Sequence, residues 1–253
     1  MKKNVCLILA YDGTDFAGWQ IQEESRTVQG VLEEVLSTMH KHPVPVTAAG
    51  RTDAGVHATG QVVNFYTELK SIKAVKFRDA INYYLPDDVK VLESYKVDDD
   101  FHARFSARVR IYRYYYYFGE VYFPHYHRFA VLRRRRPNLQ KINRMASVLI
   151  GEHDFTTFAG SADKSRSKKR IIYSSCFYPS GDFLVYKIAA DSFLYRMVRS
   201  IAGTILDLNE KGWCEEKLKE ILLAKKRSLA GTTAPARGLF LDKVLYDGEE
   251  NII

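Results

Sequence analysis

The chain has 253 residues, 46% of them hydrophobic, enough for one large domain or two fused halves with a sizeable core. Its formal charge of +8 and pI near 9.2 favour a polyanionic partner, and no apolar run approaches the roughly 18 residues that span a bilayer. Cys6, Cys176 and Cys214 are scattered, odd in number and without C-x-x-C spacing, so neither a disulfide framework nor a zinc site is expected.

Lys2-Lys3 followed by Val5–Ala10 has the outline of a secretion signal, but the apolar stretch is too short and Tyr11-Asp12-Gly13 replaces a cleavage site. A cytoplasmic protein is expected. Val5–Tyr11 reads as a buried strand closed by the Asp12-Gly13 turn. Val28, Val31, Leu32, Val35, Leu36 and Met39 recur with helical spacing and predict an amphipathic helix. A strand at 61–67, a helix at 73–84 closed by Leu85-Pro86-Asp87-Asp88, and a strand at 89–97 complete a β-α-β-α-β half.

In the second half, Ile111–Phe118 is β-branched and aromatic and predicts a strand. A helix at Leu139–Ile150 and a strand at Ile171–Phe177 come next. Pro179-Ser180-Gly181-Asp182 turns the chain into a strand at Phe183–Ala189. A long helix is predicted over 193–207, then a helix at Glu215–Ala224 and a last strand at Leu239–Tyr246. The expected fold is α+β, with two ferredoxin-like or RRM-like subdomains at 1–104 and 105–253 and an active cleft between them.

The most informative segment is 50–62, Gly-Arg-Thr-Asp-Ala-Gly-Val-His-Ala-Thr-Gly-Gln-Val. Gly50, Gly55 and Gly60 punctuate a short loop that carries one carboxylate, Asp53, and runs into an apolar strand. Glycine permits a sharp turn and close backbone approach, and Arg51 two residues away favours the ionised acid. A carboxylate presented in this way is a candidate nucleophile. An Asx-turn with a solvated arginine would explain a bare R-x-D equally well, but not thirteen consecutive residues in this arrangement. His57 lies four residues after Asp53, a metal-pair spacing only on a helix; the glycine-containing loop and the lack of a third ligand argue against a metal. No P-loop or dinucleotide fingerprint occurs.

Residues 101–136 hold nine arginines, twelve Phe or Tyr, no lysine and one acid, Glu120. Arginine pairs phosphates bidentately and stacks on bases, which suits RNA. On a strand, Tyr112, Tyr114 and Tyr116 share one face and Arg113, Tyr115 and Tyr117 the other, so most of these tyrosines belong to the core. Arg133, Arg134, Arg135 and Arg136 form one basic run. Lys164 to Arg170, with Lys168, Lys169 and Arg170 at its end, forms a second, expected in a mobile loop. Both are candidate phosphate contacts that would position RNA without reading its sequence. Within the helix predicted over 193–207, Arg196, Arg199 and Gly203 share a face apart from the apolar stripe.

The 50–62 segment resembles the active-site signature of the tRNA pseudouridine synthase A family. Tyr11 to Gln20 (YDGTDFAGWQ) resembles that family's opening strand and turn, and Phe101 to Ala107 with Tyr112-Arg113-Tyr114 its central strand. Gly151 to Phe158 matches its G-x-x-D-F-x-x-F segment, Phe193 to Arg199 its F-x-x-x-M-V-R helix, and Gly238 to Leu241 resembles its closing strand. The resemblance implies that Asp53 is the catalytic aspartate with Arg51 beside it, Tyr112 the tyrosine stacking on the target base, and Arg199 an arginine pairing with the carboxylate. It also implies antiparallel sheets joined into one continuous sheet, a homodimer, and modification of uridines 38 to 40 in the tRNA anticodon stem-loop.

The reaction expected from the resemblance breaks the N-glycosidic bond of uridine, rotates the uracil and bonds C5 to C1′. Nothing is oxidised and no group enters, so no cofactor or metal is required. Asp53 could attack C1′, act as a base at C2′, or add to the uracil ring. The rival is a non-catalytic RRM-like RNA-binding module or RNA chaperone with Tyr112 and Tyr114 as a stacking platform. A passive sheet binder, however, has no use for a carboxylate flanked by arginine.

Overall fold

The computed structural model describes residues 2–247. The α+β class expected from the alternation of elements holds, with strands that pair mostly antiparallel. The chain divides into two compact units; one runs up to Arg108 and resumes at Phe240, and the other spans Val109–Leu239.

In the first unit, β1 (Lys3–Tyr11) pairs antiparallel with β3 (His57–Thr67) and, on its other edge, with β4 (Val89–Lys96). The two-residue β2 (Thr47–Ala48) also pairs with β3. The last strand, β10 (Leu239–Leu245), returns to this unit and lies parallel to β3, with Phe240 opposite His57. Helix α1 (Val28–His40) is capped by the Thr27 side chain, which accepts from Gly30 N–H, and buries Val28, Leu32, Val35 and Leu36. The predicted helix at 73–84 is shorter: a 3-10 turn at Ala74–Lys76 leads into α2 (Phe77–Asn82), because only Phe77 and Ile81 are buried.

In the second unit, β5 (Val109–Phe118), β9 (Phe183–Ala190), β8 (Lys169–Ser180) and β7 (Gly151–Asp154) lie side by side and antiparallel, and β6 (Val131–Arg133) runs parallel to β5. Helices α3 (Leu139–Ser147), α4 (Met197–Glu210) and α5 (Glu215–Leu223) complete it. The tyrosine alternation behaves as a strand requires. Tyr112, Tyr114 and Tyr116 are buried, whereas Arg113, Tyr115 and Tyr117 are half-exposed. Burial pushes the Tyr114 phenol well up despite the nearby Arg199, Arg237 and Arg133 guanidinium groups, and its hydroxyl donates to Pro235 O at 2.6 Å.

Two expectations change here. The helix predicted from residue 193 begins at Met197, and Arg196 precedes it in the left-handed region at φ +59°. Arg196 therefore does not share a helical face with Arg199 and Gly203. The loop expected through Arg170 ends sooner, because Lys169 and Arg170 already belong to β8, opposite Asp154 and His153 of β7.

Candidate active site

The loop that carries Asp53 is built into the first unit from three directions. Beneath it, the buried Tyr11 hydroxyl of β1 sits 2.8 Å from Thr52 Oγ1, and the fully buried Gln61 of β3 donates from Nε2 to Gly50 O at 2.8 Å. Alongside it, Trp19 N–H donates to Thr52 O at 3.1 Å and Gly55 N–H to Phe16 O at 3.3 Å. Within it, Val56 N–H donates back to Asp53 O at 3.1 Å, closing a turn with Asp53 at its head.

This lacing requires the segment 13–19 to press directly on the loop backbone. A Cβ at Gly13 would lie 2.0 Å from Val56 O, and one at Gly18 2.9 Å from Thr52 O, with Gly18 also at φ +109°. Only glycine satisfies both positions. Asp53 is half-buried in the result, and Arg51 is exposed two residues before it. Thr52, between them, points inward and is buried.

His57 takes a structural place. It opens β3, is fully buried, accepts from Gly13 N–H at Nδ1 over 3.0 Å, and stacks on Phe240 at a centroid distance of 4.6 Å. An Nδ1 that accepts from a backbone N–H carries no proton, so the 3.2 Å approach of Asp12 Oδ1 to the same nitrogen is not an ion pair in this tautomer. Among the described residues, Cys214, Glu215 and Glu216 offer metal-ligand atoms within 4.8 Å of one another. Their chemistry suits a metal poorly. Glu215 already pairs with Arg144 at 3.0 Å, and the Cys214 thiol is raised, chiefly by its hydrogen bond with Glu216, away from the thiolate a metal needs.

In the second unit, Tyr112 is buried on β5 with its ring edge-on to Phe193 at 5.1 Å. Arg199 lies in the first turn of α4. Its Nε donates to Ala234 O at 2.8 Å, while Ala234 N–H donates to Arg199 O at 3.1 Å, so the side chain leaves the helix along a fixed line.

The basic runs divide by what their charges touch. Arg133 reaches Asp207 at 3.3 Å and Glu210 at 3.4 Å, joining β6 to α4. Lys168 is held by the carboxylate of Asp163, and Lys169 lies 3.2 Å from Glu152. Arg170 donates to the carbonyls of Ser167 and Lys169. Arg134 and Arg135 are exposed, and Arg136 lies over the Phe118 ring at 5.5 Å. Sequence reasoning missed the struts Tyr11 and Gln61, whose partners lie 41 and 11 residues along the chain, and the anchor Asp163, whose tie to Tyr195 spans 32 residues.

An α+β chain with this excess of positive charge and a single carboxylate clamped at the head of a rigid loop has the make-up of an enzyme acting on RNA. It belongs to the tRNA pseudouridine synthase family, whose model matches residues 7–106 and 145–247. The tRNA pseudouridine synthase A of Treponema denticola is 45% identical over 250 residues, covering 97% of this chain and 93% of that protein. That of Anoxybacillus flavithermus is 45% identical over 253 residues, covering 98% and 100%. That of Borrelia turicatae is 40% identical over 245 residues, covering 97% and 100%. Arg51, Asp53 and Arg199 fall inside the matched spans, and Tyr112 falls between them.

Proposed function

We propose that the chain isomerises uridine to pseudouridine in tRNA, with Asp53 as the catalytic carboxylate. The observation that carries this reading is the clamp on the Asp53 loop: buried Tyr11 and Gln61 below, and the backbone of Phe16 and Trp19 alongside. A passive RNA-binding sheet gains nothing from holding one acid in this way. A reaction that remakes a glycosidic bond gains a great deal, because a misplacement of ~1 Å costs up to ~100-fold in rate.

The balance of the reaction is simple. The N1–C1′ bond breaks, the uracil turns, C5 bonds to C1′, the C5 proton leaves to solvent and N1 takes one up. No electron pair is lost to an acceptor. A stacked uridine must first leave its neighbours at a cost of a few kcal/mol, of which stacking on Tyr112 would return ~1–3 kcal/mol. In this reading Arg51 and Arg199 would aim the Asp53 carboxylate through charge-assisted hydrogen bonds.

The family's reading extends to the anticodon stem-loop at uridines 38 to 40, to a homodimer and to the cytoplasm. No helix among the described residues is long and apolar enough to cross a membrane. In this reading Arg134 and Arg135 contact phosphate directly. Arg133, Lys168, Lys169 and Arg170 contribute charge to the same field while paired within the protein. Tritium release from tRNA carrying [5-³H]uridine tests the proposal: release by the intact chain and none by Asp53→Asn supports it, and equal release by both removes Asp53 from the chemistry.

A further inference from the structure

Asp163 lies between β7 and β8 with its side chain only 4% exposed. A carboxylate this deep must be fully paired to remain charged. It collects Lys168 Nζ, Ser165 N–H at 3.0 Å and Tyr195 N–H at 2.7 Å. The last of these reaches across to the segment just before α4. A second tie runs beside it, from Gly160 N–H to Tyr195 O at 2.7 Å, and Asp163 N–H closes the turn on Gly160 O at 2.9 Å. The approach is tight: a Cβ at Gly160 would lie 2.7 Å from the Tyr195 ring.

The next residue along, Arg196, has an unusual backbone. It sits at φ +59°, a region few non-glycine residues occupy, and its guanidinium lies 4.9 Å from the Tyr195 ring centroid. Such strain persists only where the surroundings over-determine it, and here Asp163 and Gly160 supply the constraint. Tyr195, Arg196, Lys164 and Arg166 are all exposed. Three cations and one aromatic ring are thus carried by two segments stitched together through one buried acid, while Lys168 is spent on that acid.

We propose that Asp163 is a positioning residue for tRNA binding. It fixes the segment from Gly160 to Lys168 on Tyr195-Arg196 so that Lys164, Arg166 and Arg196 act as one phosphate-contacting surface. This rests on the reading that the substrate is tRNA. Asp163→Asn keeps the size of the side chain but removes the charge that holds Lys168 and presents an amide where Tyr195 N–H needs an acceptor.

The test compares the intact chain, Asp163→Asn, the exposed triple variant Lys164→Gln/Arg166→Gln/Arg196→Gln, and all four changes together. Filter binding to tRNA across salt concentrations gives Kd and its salt slope; tritium release gives KM and kcat. The triple variant and Asp163→Asn should each raise Kd and KM at least ~10-fold, lower the salt slope by about 2, and leave kcat within about twofold. Combining them should be no worse than the triple variant alone, since Asp163 acts through those three cations. An Asp163→Asn chain that melts earlier yet keeps its Kd and salt slope, or effects that simply add, would reduce Asp163 to a folding role. Should Asp163→Asn fail to fold, the triple variant still decides: an unchanged salt slope overturns the surface. An intact chain that neither binds nor modifies tRNA would instead overturn the functional reading on which the inference stands.

Discussion

The Tyr11 hydroxyl and Thr52 Oγ1 lie 2.8 Å apart in a buried contact that ties β1 to the Asp53 loop. Burial pushes the phenol up to about 12, against the opposing hydrogen bonds of the Thr52 and Gln61 side chains. Tyr11 is therefore neutral throughout the working range, and its place beneath the loop, bonded to Thr52, is that of a strut. Tyr11→Phe should keep the ring packed near Trp19, cost about 1 kcal/mol, lower Tm by about 2–4 °C and reduce kcat roughly tenfold through a looser loop. A melt and a turnover assay check both; a full kcat in the variant would mean that the loop holds its shape without the strut.

Of two glycines at the same loop, one sets its height and the other does not. Gly13→Ala would drive its methyl group to 2.0 Å from Val56 O, against main-chain atoms, with no side chain able to yield. Gly50, three residues before Asp53, has nothing within 4 Å of an added Cβ. Gly13→Ala should cost about 1–3 kcal/mol or more and abolish turnover, whereas Gly50→Ala should stay within about 0.5 kcal/mol of the parent. Denaturant titration of the pair separates crowding from simple loss of flexibility.

Asp163 predicts an acid signature. Burial raises its pKa, but Lys168, Tyr195 N–H and the Ser165 contacts outweigh that and hold the carboxyl at about 2, below the ~3.9 of an unfolded chain. A depressed carboxyl stabilises the fold above its unfolded pKa, and the contribution fades as pH falls through the folded value. Asp163→Asn should thus be less stable than the parent at pH 7, with the gap closing between about pH 4 and pH 2. Urea midpoints across that range measure it, and a gap independent of pH would contradict the assignment.

Arg199 differs from a generic cation because its Nε is committed to Ala234 O at 2.8 Å, which leaves the fork at a set angle. Lysine has no equivalent of Nε and no planar fork. Arg199→Lys should change stability by no more than about 1 kcal/mol while lowering kcat/KM ~100-fold. Turnover near the parent's would show that charge alone suffices at this position.

Local pattern reached some of this and not the rest. Val28 to Met39 announced α1 because its period is internal to the helix, and strand alternation put Tyr112, Tyr114 and Tyr116 on one face, which the structure buries. The glycines around Asp53 announced a tight loop. What held that loop was hidden, because Tyr11 lies 41 residues from Thr52 and Gln61 lies 11 from Gly50. The start of α4 failed for the same reason. Phe193 and Leu194 continue the apolar period, but the Tyr195 N–H is claimed by Asp163, 32 residues away, and Arg196 turns left-handed. β3 begins at His57 rather than at 61 because β10, from the far end of the chain, pairs with it there. Short strands such as β6 and β7 carry too few residues to show any period.

If Asp53, held on its clamped loop, drives uridine isomerisation in tRNA, its loss must stop the chemistry without stopping binding. Tritium release from tRNA transcripts carrying [5-³H]uridine measures this, with the intact chain and with Asp53→Asn at matched tRNA occupancy and no cofactor added. Release is expected from the intact chain and none above background from the variant, which should still bind tRNA. Appreciable release by Asp53→Asn, or none by an intact chain that binds its tRNA, would contradict the role given to Asp53.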